Sequence, residues 1–217
     1  MKYLALFKKE FLECLILIVL AGALYGIISW IVLWETLPEY ELDEAGRIFL
    51  TQNRHYETYS LRFPASWLIG FSFFLGLLLG IIQFHRNTTE KLWCFELHRP
   101  ITRNKLVTTK LLTAALAFIL SLGIGWTSVF LYIGKPSVSP IPPTLRAYII
   151  GWIIIAAGYL CYLGTALSSL RTEKFYTTKL FGFFSAVFFI VLIYMQWNLT
   201  VVYAILLISA VIYLSQI

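Results

Sequence analysis

Residues 83–110, from Gln83 to Lys110, read QFHRNTTEKLWCFELHRPITRNKLVTTK. This is the most charged segment between two long apolar runs, and it holds six of the seventeen Lys and Arg residues. The flanking runs, 65–84 and 111–133, contain no Asp, Glu, Lys, Arg or His. Each is near the roughly 20 residues a helix needs to cross the hydrocarbon core of a bilayer. Two apolar runs joined by a charged segment predict a helical membrane protein whose water-facing working surface is this segment.

The rest of the chain points the same way. Of 217 residues, 59% are hydrophobic, 17% aromatic and 13% charged, against about 25% charged in soluble domains. A soluble core of this size could not hide so much apolar surface. Four further apolar runs, 14–34, 147–170, 180–197 and 199–217, also lack ionisable side chains. The expected fold is therefore an all-α integral membrane protein of six transmembrane helices in one domain, 1–217. Asn198 alone separates the last two runs, which predicts a tight hairpin or a broken, partly re-entrant pair. The chain stops at Ile217 with no polar tail, as a piece of a longer protein would. The first run is too long for a signal-peptide core and lacks a small-residue cleavage site, so a retained span is expected there.

Charge sets the expected orientation. Twelve Lys and Arg fall on the side of the N-terminus and the 83–110 loop, and five (Arg47, Arg54, Arg62, Lys135 and Arg146) on the other. The excess predicts a cytoplasmic N-terminus and a cytoplasmic 83–110 loop. Trp30, Trp34, Trp67, Trp152 and Trp197 fall at the outer ends of runs, as an aromatic belt would. The net charge of +6 is thus explained by membrane topology, and no nucleic-acid partner is expected.

Residues 2–15 read as an amphipathic interfacial helix. Tyr3, Leu4, Phe7, Phe11 and Leu15 share one face, and Lys2, Lys9 and Glu13 the other. The alternative is that this stretch continues the first span. Small residues four apart mark helix-packing faces: Gly22 and Gly26; Ser72, Gly76 and Gly80; Ala157, Cys161, Thr165 and Ser169. Glu35, Glu39, Glu41, Asp43 and Glu44 match no calcium loop, so a solvated acidic loop and no metal are expected. Pro136, Pro140, Pro142 and Pro143 predict a stiff connector. Cys14, Cys94 and Cys161 form no metal-ligand pattern and read as small fillers, while Arg103, Lys105 and Lys110 read as interface anchors of the third span.

On a helical wheel, 88–98 places Leu92, Trp93, Phe95 and Leu97 on a broad apolar arc, with Glu90, Lys91, Cys94 and His98 opposite. Glu96 falls inside the apolar arc. A helix lying on a membrane would not bury a carboxylate there, whereas a helix docked in a protein groove uses aromatics as anchors and a charge for register. Pro100 pushes Arg99 out of the α region and ends the helix.

The run Glu90…Phe95-x-Leu97-x-x-Pro100-Ile101-Thr102-Arg103…Lys110 resembles the cytoplasmic loop of ABC-2-type transporter permeases. In that family a Glu is followed by Pro-Ile/Val-Ser/Thr-Arg and then by a Lys opening the third span. One departure is that Lys91 and Leu92 stand where relatives often carry Gly. The resemblance implies a short cytoplasmic coupling helix seated in a cleft of a separate ABC-type ATPase subunit. Glu90, Leu92, Trp93, Phe95, Glu96, Leu97, His98, Arg99, Pro100 and Arg103 would form that interface. ATP and Mg would sit on the partner, since this chain has no phosphate-binding G-x-x-x-x-G-K-[ST] loop and is not expected to be an enzyme. The resemblance further implies an exporter in a bacterial or archaeal cytoplasmic membrane, working as a homodimer or as a heterodimer with a related permease. A non-transporting membrane anchor or assembly protein stays open. A secondary transporter is disfavoured at this point, because ion paths use ionisable residues inside spans.

The orientation predicts that Cys94 reacts with a membrane-impermeant thiol reagent only after cells are opened. Labelling of Cys94 in intact cells would place the loop outside and remove its coupling role.

Overall fold

The computed structural model describes residues 2–36, 40–42, 48–50, 59–85, 103–135, 143–170, 187–188, 191 and 199–216. Helix α1 spans Lys2–Thr36 and α2 spans Tyr59–Gly80, which runs directly into a π-helical turn, Ile81–His85. Helix α3 spans Arg103–Phe118 and continues through a second π-turn, Ile119–Gly123, into α4, Ile124–Ile133. Helix α5 spans Leu145–Leu170 and α6 spans Leu199–Gln216. Between α1 and α2, strands β1 (Tyr40–Leu42) and β2 (Ile48–Leu50) pair antiparallel with Glu41 opposite Phe49, an addition to the all-helical expectation.

Among the described residues, four stretches are long and apolar enough to cross a membrane: Ala5–Trp34, Pro64–Phe84, Asn104–Ile133 and Leu145–Leu167. They are compatible with an integral membrane protein. The stretches expected as an interfacial helix and a first span form one unbroken helix, α1. Of the run 180–197, only 187–188 and 191 are described. The Pro-rich connector is described only at its two ends, and at the second Thr144 caps α5: its Oγ1 accepts from the Ala147 N–H at 3.4 Å.

Contacts at both ends of the bundle fix the helix directions. Glu10 meets Lys110, and Leu33 packs with Val129 and Ile133, so α1 and the α3–α4 rod run parallel. Gln83 meets Cys14 while Phe71 packs on Tyr25, so α2 runs antiparallel to α1. Tyr162 meets Lys110 while Trp126 Nε1 donates to the Tyr148 carbonyl at 3.1 Å, so α5 runs antiparallel to α3–α4. Helix α6 joins the same core through Val202 and Leu206. The outward side of α1 shows Ile16, Val19, Leu20 and Ile27, a surface suited to hydrocarbon.

A close backbone seam lies between α2 and α5. A Cβ on Gly76 would sit 2.5 Å from the Gly158 carbonyl oxygen, and one on Gly158 would sit 2.6 Å from Ser72 Cβ. Gly80 faces Thr165, whose Cβ would be 2.6 Å from an added methyl. Lipid tails are as apolar as leucine, so helices in a bilayer associate through close packing, and absent side chains permit it. Gly22 backs onto Ser121 in the second π-turn, whereas a Cβ on Gly26 would meet nothing within 4 Å.

This seam predicts that Gly76→Val forces α2 off α5 and costs about 1–3 kcal/mol, the usual range for overpacking. Thermal unfolding in detergent should show a lowered midpoint for Gly76→Val and little change for Gly26→Val.

Candidate functional site

The residues expected to contact an ATPase, Glu90, Leu92, Trp93, Phe95, Glu96, Leu97, His98, Arg99 and Pro100, lie outside the described residues, as does Cys94. Arg103 opens α3. The described residues stop at His85, the end of the π-turn, and resume at Arg103, the start of α3. The bundle end between these two points holds a cluster of buried polar side chains.

Its centre is an ion pair. Lys110 Nζ donates to Glu10 Oε1 at 2.8 Å and to Oε2 at 2.9 Å, and both side chains are 1% exposed. One helical turn along α1, Cys14 Sγ accepts from Gln83 Nε2 at 3.2 Å. The Tyr162 hydroxyl is 2.6 Å from Gln83 Oε1 and 3.3 Å from the Lys110 carbonyl oxygen. Beside it, the Tyr159 hydroxyl donates to the Leu111 carbonyl at 3.3 Å, and the two tyrosine rings stack at 5.5 Å. Phe84 and Phe118 pack against these rings and cover the cluster.

Local sequence explains how each group is aimed. Leu6, Glu10, Cys14 and Ile18 recur every four residues and form the buried stripe of α1. Lys9 and Glu13 fall beside this stripe, about half-exposed, and form an i,i+4 pair at 3.7 Å that contributes little in water. Gln83 sits in the middle of the π-turn. One inserted residue rotates the downstream side chains by about 100° around the helix, and such turns recur at functional sites.

Two expectations change. Lys110 is not an anchor reaching to the membrane surface, because Glu10 holds its ammonium inside the bundle. The described apolar stretches Ala5–Trp34 and Asn104–Ile133 extend beyond the runs 14–34 and 111–133 and so include the buried Glu10 and Lys110. The two charges cancel at contact distance, which makes the pair a joint between helices. Cys14, expected as filler, is also a hydrogen-bond acceptor. Reading runs one at a time missed Glu10, Gln83 and Tyr162. The available signal was that Glu10 and Lys110 are opposite charges flanking the same ends of the first and third apolar runs.

Further along α1 and α2, the buried Tyr25 and Ser29 hydroxyls lie within reach of each other, and the buried Ser72 hydroxyl has no hydrogen-bond partner among the described residues. A buried hydroxyl left without a partner costs about 1–3 kcal/mol, so Ser72 is a described position with unmet hydrogen-bonding capacity.

Breaking a buried pair by removing one partner costs about 3–5 kcal/mol, because the other charge stays buried. Lys110→Met alone should therefore destabilise the chain by that amount, and Lys110→Met with Glu10→Leu should recover most of it. A double-mutant cycle on unfolding in detergent checks this. Additive losses would mean that the two side chains do not interact.

No family model, no curated protein and no solved structure matches this chain.

Proposed function

We propose that this chain is the membrane-spanning permease subunit of an ATP-driven ABC-2-type transporter, an exporter worked by a separate ATPase. The observation that carries the reading is the run from Glu90 through Pro100-Ile101-Thr102-Arg103 to Lys110, with a carboxylate set among Leu92, Trp93, Phe95 and Leu97. A helix with that pattern fits a protein groove better than a membrane surface. The helical bundle supports the reading in one respect. The two helix ends bounding 86–102 meet in a polar cluster with α1 and α5, so force applied to the segment has somewhere to go.

In this proposal six spans cross: the four apolar stretches, α6, and the run 180–197. The N-terminus and 86–102 are cytoplasmic. Two copies, or one copy with a related permease, pair with two ATPase subunits that hold ATP and Mg. An ion-coupled carrier is the second reading, favoured by the buried Glu10–Lys110 pair. It stands behind the first because the pair is charge-balanced. An anchor or assembly role is the reading left if no ATPase binds.

Glu96→Lys reverses the one charge in the apolar arc, and Trp93→Ala removes its largest anchor. Each should release the ATPase from the permease or uncouple ATP hydrolysis from transport, with membrane insertion near normal. Co-purification of an ATPase with wild type and both variants, alongside transport, is the test. Retained ATPase and normal transport in both variants would sink the docking role.

A further inference from the structure

The cluster closes on itself. Glu10 and Cys14 belong to α1, Gln83 to the first π-turn, Tyr162 to α5 and Lys110 to α3. Lys110 closes the ring by using both ends of the residue, its ammonium on Glu10 and its carbonyl at the Tyr162 hydroxyl. Each hydrogen bond in it joins two different helical elements, and α1 itself carries the ring from Glu10 to Cys14. Two of those elements, the π-turn and α3, are the arms between which 86–102 is strung.

Tyr162 is the pivot. A phenolic hydroxyl has one proton, and here it faces an acceptor on each arm, at 2.6 Å and 3.3 Å. The hydroxyl thus touches both arms, and a shift of α5 at Tyr162 disturbs both contacts at once. Gln83 passes the same disturbance to α1 through Cys14, and Lys110 passes it through Glu10. Buried hydrogen-bond networks of this kind polarise one another, and single deletions do not add.

We propose that this ring is a clasp that opens and closes as one unit, so that displacement of 86–102 reaches α1 and α5 together. It rests on the permease reading for what displaces the segment. Its unity is measurable without any partner.

Cys14 is the built-in reporter. It is fully buried, and its hydrogen bond in the ring is to Gln83, which also meets Tyr162. The experiment is the rate of maleimide alkylation at each cysteine of the full chain in detergent, read by mass spectrometry of its peptides. Tyr162→Phe removes one oxygen atom and leaves Cys14, Gln83, Glu10 and Lys110 in place. It should speed alkylation of Cys14 by about tenfold, the size of one buried hydrogen bond. Lys110→Met should speed it by more from the other side of the ring, because it also removes the charge that balances Glu10. The exchange Glu10→Lys with Lys110→Glu should return the rate toward wild type. Cys161, buried in α5 outside the ring, should keep its rate in Tyr162→Phe.

An unchanged Cys14 rate in Tyr162→Phe, with a faster rate in Gln83→Leu, would mean that the contacts break singly and overturns the clasp. An equal rise at Cys161 would mean general loosening and overturns it too. Failure of a native-membrane ATPase to co-purify with the wild-type chain would remove the driver. It would leave the alkylation pattern standing, so the two failures are separable.

Discussion

The bundle depends on one ammonium and one carboxylate kept out of water. A lone Lys110 or a lone Glu10 at that depth would be expelled toward solvent or neutralised, and either outcome would pull its helix out of place. Together they hold the first and third apolar helices in register at one end. The pair is far apart in the chain, so α1 alone cannot satisfy its own Glu10. The first helix acquires its final seat only when the third helix is present.

Close packing sets the rest of the geometry. Gly76, Gly158 and Ser72 let α2 and α5 approach backbone to backbone, and that approach brings Tyr162 within reach of Gln83. Trp126 lies over Gly151 at the opposite end, donating to the Tyr148 carbonyl, so the α4–α5 contact is pinned there as well. The hydroxyl links of the ring and the glycine seam therefore support each other: the seam sets the distance, and the hydrogen bonds set the register.

The π-turns are where the helical pattern gives way to these demands. The first carries Gln83 into the ring, and the second carries Ser121 against Gly22. Both interrupt helices that length and apolarity alone would leave regular. A π-turn gives up regular i→i−4 bonds and keeps only what neighbouring helices stabilise. These turns are the described places where tertiary contacts override local preference.

The sequence by itself determined that the chain is helical and membrane-compatible, because length and apolarity are local properties that need no partner. The apolar runs 65–84, 111–133 and 147–170 each lie within described helical stretches. Only the tertiary structure decided what Glu10, Cys14, Gln83, Lys110 and Tyr162 do. Read along the chain, Glu10 is a charge near a terminus and Lys110 an anchor at a span's edge. Charge cancellation and a shared hydroxyl proton depend on distances across helices, and those are set by which small residues let which backbones approach.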